Sequence, residues 1–323
     1  MRQRRIQRYL RHGTLPQLRL LEAVIRLGSL TRAAEELHIA QPTASLHLKK
    51  LGDAVGLPLL ERSGKRIRPT AAGRALGAAC REILGTLTRL EDTLTEVREP
   101  GSGLLRIAAG TTATYIVPRL LAEFVRRHPR TAASVQVLSQ SALLDRLRED
   151  ADDLYLLTHP PHGDGIAVHP VLPNPFIVLA RRDHALARVR PVPLARFAEE
   201  PLLVREPGSA TRAVAERVFA ARSLRPRVRM ELGSNEAIKE AILAGLGVAI
   251  LARYSIGFEL DPRLAVLDVE GFPVELRWHF AYPAVRHLSP LAQAFLDMVK
   301  LEAASLLAPQ LGGVERPSDA EIA

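Results

Sequence analysis

Apolar positions in residues 29–51 fall into two short helical groups: Ala33, Ala34 and Leu37 on one face of the first, Leu48 and Leu51 on one face of the second. Thr31 reads as the N-cap of the first helix. Pro42 reads as a first-turn residue of the second, where its missing N–H costs nothing. The small alanines let the two helices approach closely, and the pair is predicted as a helix-turn-helix with polar and basic side chains facing outward. Residues 61–70 follow as a short strand, a Ser63-Gly64 turn and a basic return strand, the pattern of a wing. From Thr70 to Glu99 the spacing predicts one long helix, capped by Thr70 and stopped at Pro100-Gly101. Its residues Leu76, Cys80, Ile83, Leu87, Leu90, Leu94 and Val97 alternate four- and three-residue steps. That is a coiled-coil seam over three heptads, and it predicts a dimer helix.

Beyond residue 103 strand-like runs alternate with amphipathic helices. Leu104–Ala109 precedes Ile116–Arg127, Ser134–Leu138 precedes Ala142–Glu149, and Asp153–Leu157 follows. Phe176–Ala180, Pro201–Val204, Val228–Leu232 and Val248–Leu251 continue the series, with helices at Thr211–Ala221 and Asn235–Ala244 between the later runs. The predicted class is α/β with parallel sheets. The last strand, Arg277–Tyr282, and helix, Pro290–Leu307, return to the first subdomain and close a two-lobed cleft. The expected organisation is a winged helix-turn-helix over 1–69, a linker helix over 70–100 and a two-lobed domain over 101–307. Lobe I would take 101–175 and 277–307, and lobe II 176–276. The composition of Gly312 to Asp319 predicts disorder over 308–323.

Charge sharpens this division. Residues 1–70 hold 14 Lys and Arg against 5 Asp and Glu, while the remaining residues hold 30 of each, so the whole excess of +9 lies with the helix-turn-helix. Such segregation is the footprint of a phosphate backbone and predicts binding that weakens with salt. A single cysteine excludes an internal disulfide framework and suits a reducing cytoplasm. No apolar stretch approaches the length of a membrane span, and the basic start Met1 to Arg5 lacks the apolar run of a signal peptide.

In the second helix Gln41, Pro42, Thr43, Ser45 and His47 lie near the N-terminal part, where a helix in the major groove meets base edges. Arg32, Lys49 and Lys50 are candidates for phosphates, and Arg62, Lys65 and Arg66 of the wing for phosphates or a narrow minor groove. Ser45 also suits an inward packing position. Two heads per dimer imply a partly palindromic operator on double-stranded DNA.

Ser29, Ala33-Ala34, Leu37, Gln41, Ser45, Leu51, Gly56, Leu59, Arg62 and Thr70-Ala71-Ala72-Gly73 resemble the signature of LysR-type transcriptional regulators over the first hundred residues. Gly52 stands where that family generally has glutamate, and Leu60 where it has phenylalanine. The resemblance implies a type 2 periplasmic-binding-protein-like effector domain, a homodimer or homotetramer, and RNA polymerase as a further partner.

Several small hydroxyl and amide residues sit where predicted strands pass into helices: Thr111, Thr112, Gln140, Ser141, Gly208, Ser209, Thr211, Ser234 and Asn235. Each alone is a plain N-cap. Together they occupy equivalent topological points, where strand ends and helix N-termini of an open α/β sheet form an anion-favouring crevice. Asp152-Asp153-Leu154-Tyr155, Arg205 to Arg212, Glu231 to Lys239 and Val269 to Pro273 resemble the LysR-type regulators of Calvin-cycle (RuBisCO) operons. That resemblance implies a phosphorylated metabolite or NADPH as effector, no other cofactor, and control of carbon-fixation genes. Thr114 replaces a lysine frequent there, and Ser139-Gln140-Ser141 a stretch containing Asn-Arg, so two expected cations are missing.

Gly245-Leu246-Gly247 follows a helix and precedes a strand, the reverse of a phosphate-binding turn. His159, His162 and His169 lack a Cys or carboxylate at ligand spacing, so no metal site is expected. No catalytic constellation is apparent. The expectation is a cytoplasmic, non-enzymatic, ligand-responsive DNA-binding regulator without a membrane partner. The alternatives are a LysR-type regulator of another metabolic operon, or a cytoplasmic solute-binding or catalytic α/β protein.

Overall fold

The computed structural model describes residues 15–63, 66–99, 101–161, 163, 165–257 and 260–311. The chain divides into two compact units, one up to Glu91 and one from Asp92 onward.

The first unit packs α1 (Leu15–Leu27), α2 (Leu30–Glu36) and α3 (Gln41–Val55) against an antiparallel hairpin of β1 (Leu60–Ser63) and β2 (Arg66–Pro69). Leu20, Ala23 and Val24 of α1 meet Ala33, Ala34 and Ala44 in the core, and the alanines allow the close crossing. The cap of α2 is Ser29 rather than Thr31. Its hydroxyl accepts from the Arg32 N–H at 3.4 Å, which leaves Thr31 exposed within the first turn. Pro42 lies in the first turn of α3, and Gly56 ends that helix in the left-handed region at φ 76°.

The helix α4 (Ala71–Arg98) begins at Thr70, whose hydroxyl accepts from the Gly73 N–H at 3.0 Å and donates to the Pro58 carbonyl at 2.6 Å. Its predicted seam divides. Cys80 is fully buried with Leu21, Leu51 and Leu59, and Leu76 packs against the same cluster. Cys80 belongs to the core of its own unit and is not open to a partner, and Leu76 is half-buried against that core. Ile83, Leu87, Leu90, Leu94 and Val97 are 39–72% exposed. Heptad spacing records that a stripe is apolar, not which surface covers it, and the first stretch of this stripe is covered by α1 and α3.

The second unit has two lobes. Lobe I holds β3 (Gly103–Gly110), β4 (Thr131–Leu138), β5 (Leu154–Leu157), β6 (Ile166–Pro173) and β12 (Arg277–Pro283) in the spatial order β4-β3-β5-β12-β6. Helices α5 (Val117–Arg127), α6 (Gln140–Arg148) and α10 (Pro290–Leu311) accompany this sheet, and Phe124, Trp278, Phe280 and Phe295 fill its core. Lobe II pairs β7 (Phe176–Arg181) with β10 (Ala249–Ala252) and β11 (Leu264–Leu267), and β8 (Leu202–Arg205) with β9 (Val228–Leu232). A Leu202–Val248 bridge joins the two groups, and α7 (Leu194–Ala198), α8 (Ala210–Ala220) and α9 (Asn235–Leu243) complete the lobe.

The expectation of parallel sheets holds for β3 with β4 and β5 and for β8 with β9. It fails elsewhere: β12 runs antiparallel to β5 and β6, and β7 antiparallel to β10 and β11. The reason is the double crossing between lobes. The chain leaves lobe I after β6 and re-enters it in β12, travelling the opposite way. The crossings hydrogen-bond to each other, Asn174 N–H to the Leu276 carbonyl at 2.7 Å, and Phe176 and Val274 reciprocally at 3.0 and 2.9 Å.

Candidate DNA interface and ligand cleft

On α3, Gln41, Pro42, Thr43, Ser45, Lys49 and Lys50 are exposed, His47 is half-buried, and Ala44 and Leu51 turn inward. Ser45 therefore faces outward and not into the packing. Arg32 is also exposed. Leu46, absent from the predicted set because it is apolar, is 50% exposed between Ser45 and His47. An apolar side chain there suits a thymine methyl group. The wing hairpin carries Arg62 and Arg66 on its strands, but their side chains, like all of Lys65, lie outside the described residues.

The two lobes meet at strand ends, where the sequence places the ligand cleft. Arg205, the last residue of β8, is 1% exposed. Its Nη1 donates to Asn235 Oδ1 at 2.7 Å in lobe II and to Thr111 Oγ1 at 3.4 Å in lobe I. Its Nε and Nη2 grip both oxygens of Glu206 at 2.7 Å. Asn235 is fixed in turn by donating to Ser255 Oγ at 3.3 Å. One buried guanidinium thus touches both lobes. The sequence pattern concealed it at the end of an apolar strand, 94 residues from Thr111.

A second bridge lies beside it. Tyr115 in lobe I donates its hydroxyl to Glu236 in lobe II, and the Lys239 ammonium stands 5.5 Å from the Tyr115 ring centre. Lys239 also donates to the Ser255 carbonyl at 2.8 Å. Burial and the Glu236 carboxylate push the Tyr115 hydroxyl well above the ordinary phenol range. Burial works against the charge on Glu236, but the Tyr115 hydroxyl, a backbone N–H, Lys239 and Arg205 outweigh it and hold that carboxyl below its usual range.

The structure brings some predicted ligand residues together and disperses others. Thr111 and Asn235 meet on Arg205, and a β-carbon on Gly208 would stand 3.5 Å from Ser141 Oγ in the opposite lobe. Ser209 and Ser234 spend their hydroxyls on the starts of α8 and α9, accepting from Arg212 and Ala237 N–H at 3.1 and 3.0 Å. Thr112 and Thr211 are buried. Gln140 donates to the His159 carbonyl at 2.9 Å, within lobe I. Burial, with Arg217 and His279, lowers the His159 imidazole's pKa. His169 stacks on Tyr282, apart from any metal-like cluster among the described residues, and His162 lies outside them.

Comparison with known proteins covers both units. The family described as "Bacterial regulatory helix-turn-helix protein, lysR family" matches residues 15–74, and "LysR substrate binding domain" matches residues 98–304. The HTH-type transcriptional activator CmpR of Synechocystis sp. is 42% identical over 89% of this chain and 95% of its own length. A RuBisCO operon transcriptional regulator of Acidithiobacillus ferrooxidans is 40% identical over 89% and 94%. Among solved structures, the regulatory domain of Synechocystis PCC6803 CcmR in complex with 2-PG is 39% identical. It covers 61% of this chain and 96% of its own, with a TM-score of 0.59. With its helix-turn-helix, its exposed recognition face and its two-lobed second unit, the chain belongs to the LysR family of transcriptional regulators.

Proposed function

We propose that this chain is a cytoplasmic regulator of carbon-fixation genes whose DNA grip is set by a small phosphorylated acid held between the lobes. The observation that carries this reading is Arg205: a guanidinium 1% exposed, at the junction of two lobes, oriented by Thr111 and Asn235. A buried cation at a domain junction is suited to charge-assisted recognition of an acid. The 2-PG complex of CcmR supports 2-phosphoglycolate as the first candidate, and NADPH is the second.

No enzymatic step is assigned, since the relatives reported above are transcriptional regulators. Among the described residues no helix is long and apolar enough to cross a membrane. The exposed part of α4 supports a homodimer, and pairing of dimers a tetramer. Two heads would then meet a partly palindromic operator, and RNA polymerase is the partner such a complex would position. The acid favours one angle between the lobes, and that differential affinity is what shifts the spacing of the heads.

The test is a thermal shift of the full chain with 2-phosphoglycolate and NADPH, paired with protection mapping on DNA upstream of neighbouring genes. A ligand at a hundred times its Kd should stabilise the fold by about 2.7 kcal/mol and change the protected pattern. A shift with a neutral sugar and with neither acid would reject the reading.

A further inference from the structure

Arg205 carries one charged partner and two neutral ones. Its Nη1 edge is taken by the Asn235 amide oxygen and the Thr111 hydroxyl, which orient the group without neutralising it. The opposite fork, Nε and Nη2, is closed by Glu206, its only ion-pair partner among the described residues. The nearby Glu236 carboxylate is engaged by Tyr115 instead. A guanidinium taken out of water needs a compensating anion, because desolvating an unpaired charge is costly.

The two members of the pair differ in freedom. The Arg205 side chain is 1% exposed, whereas the Glu206 side chain is 30% exposed. Arg205 is pinned by Asn235, itself held on the fully buried Ser255. The Glu206 backbone is tied by its carbonyl, which accepts from the Ser209 N–H at 3.3 Å, but among the described residues its carboxylate accepts side-chain hydrogen bonds from Arg205 alone. The carboxylate can therefore turn into water while the guanidinium stays.

We propose that Glu206 is a built-in counterion, holding on Arg205 the place that an acid group of the effector takes in exchange. This rests on the effector reading above and deepens it: binding is a swap of one anion for another. A neutral ligand cannot perform that swap, so Glu206 excludes neutral metabolites. It also sets a threshold, since every acid must outcompete a carboxylate already tethered one residue away. A dianion gains more from the buried cation than the monoanion it displaces.

The experiment uses the full chain and its E206Q variant, titrated with 2-phosphoglycolate and with inorganic phosphate by calorimetry and thermal shift. Glutamine can still accept from Arg205 but removes the carboxylate paired with it. E206Q should bind 2-phosphoglycolate about tenfold more tightly than the natural chain, and phosphate should raise its melting temperature more than that of the natural chain. Equal or weaker binding by E206Q would overturn the exchange. If 2-phosphoglycolate binds neither protein, the effector assignment fails, and the phosphate arm still decides the exchange by itself. Should E206Q not fold, Glu206→Asp keeps the charge and shortens its reach. A folded aspartate variant that binds 2-phosphoglycolate more tightly than the natural chain supports the swap, and unchanged or weaker binding rejects it.

Discussion

The carbonyl oxygen of Leu59 stands 1.9 Å from the point where a β-carbon on Gly73 would lie. The chain leaving the recognition helix passes directly over the first turn of α4, and Thr70 fastens it there through Pro58. Gly73→Ala forces that backbone contact apart. We expect a loss of about 3 kcal/mol in the first unit, seen as a lower denaturation midpoint, with the melting of a fragment beginning at residue 101 as the reference. A variant as stable as the natural chain would show that the contact yields freely.

The exposed part of α4 makes a separable prediction. Leu87→Asp with Leu90→Asp places charges on a stripe that is 39% and 50% exposed. Sedimentation should then report a smaller assembly with helical content kept in the DNA-binding unit. Cys80→Asp acts on a fully buried site and should unfold that unit instead. Identical effects of the two changes would contradict the division of the helix.

For DNA reading, Gln41→Ala, Ser45→Ala and Leu46→Ala should each change sequence preference, by about 1–3 kcal/mol at the contacted base pair. Arg32→Ala and Lys50→Ala should weaken specific and random DNA alike and lower the salt slope by about one. Affinities of the five variants on operator and scrambled duplexes, across salt concentrations, separate the groups. Loss of equal size on both duplexes for Leu46→Ala would remove it from the base-reading set.

Burial pushes the Cys80 thiol up to about 11 from an ordinary 9.0, with Glu22 adding to the shift and Arg81 opposing it. The neutral form is favoured in the fold, so the stabilisation is intact below pH 9 and is lost as pH rises from there through about 11. Alkylation at pH 8 should be slow in the native protein and fast once it is unfolded. Rapid native labelling would disprove the buried environment.

Much of this is legible in the sequence because apolar spacing reports which face of an element is apolar. The helix-turn-helix, the wing and most lobe strands follow from it. β6 escaped because it lies at the sheet edge, carries Pro170 and is mostly half-buried, so its alternation is faint. The orientation of β7 and β12 depends on a return path that spacing does not encode. In the cleft, Ser209 and Ser234 were visible as helix starts, yet their hydroxyls serve their own helices. Arg205 acquires its meaning only when folding brings Thr111 of one lobe and Asn235 of the other to its Nη1.

The paired crossings near Asn174 and Leu276 have one further consequence. The chain passes between the lobes twice, and the two passes lie side by side, hydrogen-bonded to each other. The Arg205 and Tyr115 contacts join the same two lobes through side chains alone. On the proposed reading, an acid acts on these side-chain contacts while the paired crossings keep the lobes joined, so the grip between the lobes can change without any change in how the chain runs between them.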